Sequence, residues 1–404
     1  MMDIAITGIG VISALGIGRE TFWESCRDAK SGMKKIGSFD TGSLGSDVAG
    51  TIEDFDPKQF MSPRTYRRMS RISRMAVASS IEAIEDSGIG VDTVDKDRIA
   101  VIMGTAYGGS SRVEDFYVSF LKNGPRGAQP FFFPETVPNA SASHIAIFHG
   151  ITGPNTTFCQ NAISAENAIM YAENLLLQNH VDVALVGGAD ELSSILYSCY
   201  NVFSNKIKVK QGDPIIPSPG AGIVLGEGAG MLVMERSKFA KARGADIYGI
   251  LKSGVMTGGI TSIGHYEVSG EQMSRAMRLA VERAGVGSEE IDQVNVSANF
   301  SRELDRMEYA QLIDFFGKQN NELMVTPLKY LMGDFGGGGI LRAAAILLSI
   351  RHQTPLPKIQ VKTLLGDIQG PVAWQTRPKG TPKWALMTSS TFGGGSASMI
   401  FARD

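Results

Sequence analysis

The 404-residue chain is poor in the residues that do covalent and metal chemistry, with 3 cysteines and 5 histidines. Cys26, Cys159 and Cys199 are odd in number and far apart, which fits neither a disulfide framework nor a zinc site. His144 and His149 fall in or at the end of an amphipathic helix, at a spacing that does not place them on one face as i, i+4 ligands would be. His180, His265 and His352 fall at predicted helix ends or in loops, so no metal site follows. No apolar run approaches the roughly 18 residues needed to cross a bilayer. The N-terminus also lacks the basic stretch and the roughly 7 to 15 apolar residues of a secretory signal. A formal net charge of −2 excludes the basic stripe of a nucleic-acid binder. None of the glycine runs reads GxGxxG between a strand and a helix, so no dinucleotide fingerprint is present. The chain reads as cytoplasmic, with reduced thiols.

What is present is ample apolar material, 43% of residues, and 47 glycines clustered at turns. Strand-like apolar runs at 4–9, 99–104, 181–187, 247–254, 291–297 and 384–390 are nearly continuous in Val, Ile, Leu and Ala, as in strands buried on both faces. Amphipathic helical stretches lie between them near 19–29, 64–87, 110–122, 163–179, 270–285 and 303–317. This alternation predicts an α/β fold with mixed, largely parallel sheets. The proline-rich stretch from Lys206 to Gly222 reads as a long surface loop. No linker divides the chain, and two halves, 1–250 and 251–404, meet without a tether.

Several strings occur in the order found in one family. They are Ala5-Ile6-Thr7-Gly8-Ile9-Gly10, Pro130-Phe131-Phe132-Phe133-Pro134, Gly153-Pro154, Val186-Gly187-Gly188-Ala189, Leu225-Gly226-Glu227-Gly228-Ala229-Gly230, Lys329 with Gly333, and Phe392-Gly393-Gly394. Over nearly its whole length the chain resembles the ketosynthase branch of the thiolase superfamily, of the β-ketoacyl-ACP synthase II type. The resemblance implies a duplicated five-layer αβαβα fold assembled as a dimer. It also implies acyl groups delivered on the phosphopantetheine arm of an acyl carrier protein, with no bound cofactor.

In an active synthase a cysteine at a helix N-terminus is acylated, because the helix dipole favours its thiolate. Two histidines then bind the malonyl carbonyl and assist decarboxylation, and backbone amides hold the oxyanion. Here the nucleophile position falls on Ala162, and the histidine positions fall on Ser297 and Asp334, with the family lysine retained as Lys329. A methyl group carries no thioester, and an anionic Asp334 would repel both malonyl carboxylate and enolate. Lys329 and Asp334 are expected to form an ion pair that fills the old cavity. Cys159 is expected to be a small buried hydrophobe, with a relocated nucleophile as the alternative. Asn161 is expected to cap the helix beginning at Ala162. Pro214 to Ala221 replaces the family's charged entrance loop.

This pattern is similar to that of a chain-length factor, the nucleophile-free partner of an active ketosynthase in type II polyketide systems. Such a subunit acts by packing: its bulky side chains stop the partner's growing acyl chain near the dimer interface. The candidates are Phe116 and Phe120, at helical spacing, and Phe131, Phe132 and Phe133, with Phe392 at the family's gating position. Two other readings remain open. One is an independent decarboxylase or acyltransferase using Cys159 or Lys329. The other is a scaffold or acyl-binding homodimer.

Overall fold

The computed structural model describes residues 3–42, 44–204, 222–262, 264–317, 323–357, 359 and 380–404. The loop expected at Lys206 to Gly222 lies, but for Gly222, outside the described residues, as does Pro214 to Ala221.

Ten strands carry the fold: β1 (Ile4–Ser13), β2 (Ile99–Gly104), β3 (Asn155–Phe158), β4 (Val183–Asp190), β5 (Gly228–Arg236), β6 (Gly249–Gly258), β7 (Gln293–Asn295), β8 (Met324–Thr326), β9 (Trp384–Ser390) and β10 (Gly395–Ala402). They form one path, β8-β7-β9-β10-β6-β1-β5-β4-β2-β3, and the short strand Gly16–Ile17 pairs with β1. Outward from the centre the order is first, fifth, fourth, second, third in β1–β5, and the same in β6–β10. The pairing senses match as well: β3 and β4 run parallel to β2, β8 and β9 run parallel to β7, and the other pairs within each set are antiparallel. The fold is therefore a duplicated α/β unit, its copies joined where Ile4–Ile6 of β1 pairs with Gly249–Leu251 of β6.

Eight helices matter for the site: α1 (Arg71–Ser87), α2 (Ser110–Asn123), α3 (Ala140–His149), α4 (Ser164–Leu177), α5 (Ser194–Ser204), α6 (Glu271–Ala284), α7 (Arg302–Phe316) and α8 (Gly338–Arg351). The helices α4 and α8 lie in the middle layer, while α1 packs outside the first sheet half and α6 outside the second. This layering explains why every residue of β1 and β2 is buried: both faces are covered. Helix α1 begins at Ser70, whose hydroxyl accepts from the Ser73 amide, and ends on Gly88 in the left-handed region.

All six expected strands are present, though more neighbours in the sheet are antiparallel than parallel, and of the six expected helices the one at 64–87 is split into Pro63–Tyr66 and Arg71–Ser87. The apolar strand runs omitted β3, β5, β8 and β10, and the helical reading omitted α5 and α8. Of α8, the residues from Gly338 through Ile350 are all buried, so its sequence has no polar face to give a helical period, and its leading glycines read as a turn.

Candidate functional site

The candidate site lies where β3, β7 and β8 end and the central helices begin. Asn161–Ile163 forms a tight 3-10 turn after β3, and the α-helix proper starts at Ser164. Ala162, 6% exposed, sits in this turn. Asn161 does not cap the helix with its side chain as expected. Its φ is +50°, and its carbonyl accepts from the Ser164 hydroxyl at 2.7 Å. The backbone there is already turning, so the residue lies within the first turn rather than before it.

Asp334 precedes α8 as Ala162 precedes α4, and the glycine strings show how it is pinned. The Asp334 amide donates to Val224 at 2.8 Å, and the Gly226 amide donates to the Asp334 carbonyl at 3.1 Å. A Cβ at Gly226 would lie 2.4 Å from the Met332 carbonyl oxygen, and Gly333 has φ +82°, so two backbones meet that no side chain could separate. Glu227, next in the string, receives Arg71 and the Ile52 amide.

Three of the four sequence-derived positions form one buried cluster. The Lys329 ammonium lies 2.7 Å from an Asp334 carboxylate oxygen and donates to the Ser297 hydroxyl at 3.2 Å. The fourth, Ala162, shares a cavity wall with Asp334. The expected Lys329–Asp334 ion pair is present.

Sequence reasoning missed the second layer around this pair. Asn299 donates to Asp334 at 2.6 Å and to the Tyr266 hydroxyl at 2.9 Å. Glu308 accepts from the Ser297 amide at 2.7 Å and from Thr388 at 2.6 Å, yet burial pushes its carboxyl up. Asp305 accepts from Tyr330 at 2.5 Å, and burial pushes it up to about 7. Below them Arg342, fully buried, donates to Asn295, Ser389 and Thr388 and lies 3.5 Å from Glu166. Asn299 stands two residues from Ser297, and that proximity was the available signal. The others are brought together only by tertiary folding.

Asp190, at the end of β4, accepts from Thr105, from the amides of Ala106 and Tyr107, and from the Gly337 amide at the start of α8. Burial outweighs these donors and pushes it up to about 6. It ties the β2 exit loop to the central helix beside Ala162.

Cys159 is exposed, not buried as expected, because it follows the last residue of β3 at the rim of the site. Its thiol is pushed up by partial burial and then by the charge of Asp190, the opposite of activation. Among the described residues no cluster of histidine, cysteine and carboxylate could hold a metal ion.

None of the aromatic candidates lines the cavity that Ala162 lines. Phe116, half-buried, meets Phe133 edge-on with centroids 6.2 Å apart, and Phe133 is 58% exposed. Phe120 is exposed on the same helix, α2. Phe132 packs on Phe131 and under the Arg112 guanidinium, 4.9 Å from its ring centre. Phe392 packs on Tyr266, centroids 4.6 Å apart, and borders an open cleft with Gln160 and Asn161.

Residues 1–240 match the beta-ketoacyl synthase N-terminal domain, and residues 248–362 match the beta-ketoacyl synthase C-terminal domain. The chain belongs to the beta-ketoacyl synthase family. Among relatives of this family, the 3-oxoacyl-[acyl-carrier-protein] synthase 2 of Vibrio cholerae is 29% identical over 411 residues, covering 99% of each chain. The solved structure of the ishigamide ketosynthase/chain length factor superposes with a TM-score of 0.89 at 25% identity, covering 100% of this chain and 99% of that one. A type II polyketide ketosynthase in complex with its acyl carrier protein, AntDE:AntF, superposes with a TM-score of 0.87 at 19% identity, covering both chains fully, a likeness of fold. Among the described residues no helix is long and apolar enough to cross a membrane.

Proposed function

We propose that this ketosynthase-fold chain is the noncatalytic, chain-length-factor-like subunit of a heterodimeric β-ketoacyl-ACP synthase. It would work in the cytoplasm, in polyketide or polyene assembly on carrier protein, with ketosynthase halves 1–250 and 251–404. The observation that carries this is the buried Lys329–Asp334 pair beside a methyl group at position 162: no thiol stands at the nucleophile position, and the retained cation is ion-paired.

Surface features support a partner. Strand β3 ends the sheet, and among the described residues no strand covers its outer edge, which invites pairing with another chain. Tyr117, Phe120, Leu121, Phe131 and Phe133 are all exposed, as are Ile147 and Phe148 on the helix packed beside β3. An exposed apolar surface of this kind marks an interface. Phe116 and Phe133 on that surface would form the end wall of the partner's tunnel. Arg64, Arg67 and Arg68 are exposed in one run, with Arg68 over Phe131, and suit an acidic carrier protein.

Co-expression with an active ketosynthase tests the reading. The two chains are expected to co-elute, the chain alone to condense nothing, and Phe116→Ala or Phe133→Ala to lengthen the product, read by mass spectrometry. Unchanged lengths would remove the wall role. A relocated nucleophile would instead give a covalent acyl adduct on Cys159 or Lys329 after incubation with acylated carrier protein.

A further inference from the structure

Position 162 lies between two spaces, and Asn161 borders both. On one side is the open cleft at Phe392, about 540 Å³. On the other is a cavity of about 30 Å³, walled among the described residues by Leu192, Leu196, Leu225, Phe335 and two tyrosines, Tyr107 and Tyr200. Such a space holds roughly a water or two and falls far below the roughly 300 Å³ at which small-molecule sites begin. Asp190, Glu191 and Asp334 also border it, but most of its wall is apolar and suits an acyl chain, while its size admits none.

The tyrosines account for the difference. Tyr107 comes from the loop leaving β2 and Tyr200 from α5, and their hydroxyls lie 2.9 Å apart. The rings meet edge-on, with centroids 6.4 Å apart and planes at 87°. The Tyr107 loop cannot readily swing away, because the amides of Ala106 and Tyr107 both donate to Asp190, at 2.9 and 3.2 Å. One hydroxyl donates to the other, so the two polar tips meet each other rather than the apolar wall.

The geometry points to Tyr107 and Tyr200 as a plug that denies this chain an acyl pocket of its own. For a heterodimer this means one acyl chain per pair, housed by the partner; that consequence rests on the subunit reading, whereas the plug is a property of the isolated chain.

Isothermal titration of the purified full chain with S-decanoyl-N-acetylcysteamine, and with the S-acetyl compound as a short control, tests the plug. The wild type is expected to show no saturable binding of the decanoyl compound. Tyr107→Ala and Tyr200→Ala are each expected to bind one equivalent, about tenfold or more tighter than the wild type, with the acetyl titration unchanged. Tyr107 is 39% exposed, so Tyr107→Ala is the variant more certain to fold, checked by its thermal melt. Decanoyl binding by the wild type as tight as by the variants overturns the proposal, and so do folded variants that bind no better than wild type. If a variant does not fold, the wild-type titration decides alone. Co-elution with a synthase is scored separately, so failure of the plug and failure of the partnership give different results.

Discussion

Lys329 and Asp334 are 1% and 7% exposed, so each depends on the other for the interaction that water would otherwise supply. Lys329→Met should leave an uncompensated buried carboxylate and cost roughly 3–5 kcal/mol, whereas Lys329→Met with Asp334→Leu should recover most of that loss. Urea unfolding of the two single variants and the double variant measures the coupling; simple additivity would mean the pair is not a unit. At this scale the sequence revealed which residues stand at the family positions, because Ala162 sits a countable distance from Gly153-Pro154 and Gly187-Gly188, Asp334 follows Lys329 and Gly333, and Ser297 falls in the segment that begins at Asn295. It could not reveal Tyr107 against Tyr200, or Arg342 against Glu166, since those partners are far apart along the chain and meet only after folding. Cys159 and Asn161 were misjudged for a local reason: both depend on where β3 stops and the helix starts, a boundary that residue types alone leave loose.

Glu135 shows how an element is held in place. It follows the Phe131–Phe133 segment and accepts from the Ser70 amide at 2.8 Å, the Ser70 hydroxyl at 2.7 Å and the Ser73 hydroxyl at 3.0 Å, with His144 of α3 as its fourth partner. Burial pushes its carboxyl up, but His144 and the Ser70 donors outweigh that and hold it down at about 2. Because the folded value lies below the usual 4.5, the stabilisation is complete above about pH 4.5 and is lost as pH falls toward 2. Its size is roughly 3 kcal/mol at about 1.4 kcal/mol per pH unit. Glu135→Gln should lower stability at neutral pH and flatten the acid limb of a pH–stability curve measured by chemical denaturation. An acid limb as steep as in the wild type would show that other carboxylates dominate it. At this scale long amphipathic helices were readable from their period and fully buried strands from their continuous apolar runs. Helix α8 was not, because burial on every side removes the contrast on which a period depends.

At the scale of the whole molecule, alternating strands and helices announced an α/β protein, but nothing in composition or spacing announced two copies of one unit. The copies share strand order and pairing sense, which are properties of connection rather than of residue type. The family resemblance supplied that expectation. The copies are also joined by chemistry: Glu166 of α4 meets Arg342 of α8, which reaches in turn to β7 and β9. Position 162 in one copy and position 334 in the other are therefore held in a common frame.

The outer edge of β3 has a consequence for supply. An edge that no described strand covers, beside exposed phenylalanines, is satisfied by one correctly seated neighbour, and without it by any strand that comes first. On the proposed pairing, the chain alone should cloud in a light-scattering assay as its concentration rises, and an equimolar ketosynthase companion should keep it clear. A cell using such a chain would then have reason to translate the two in step.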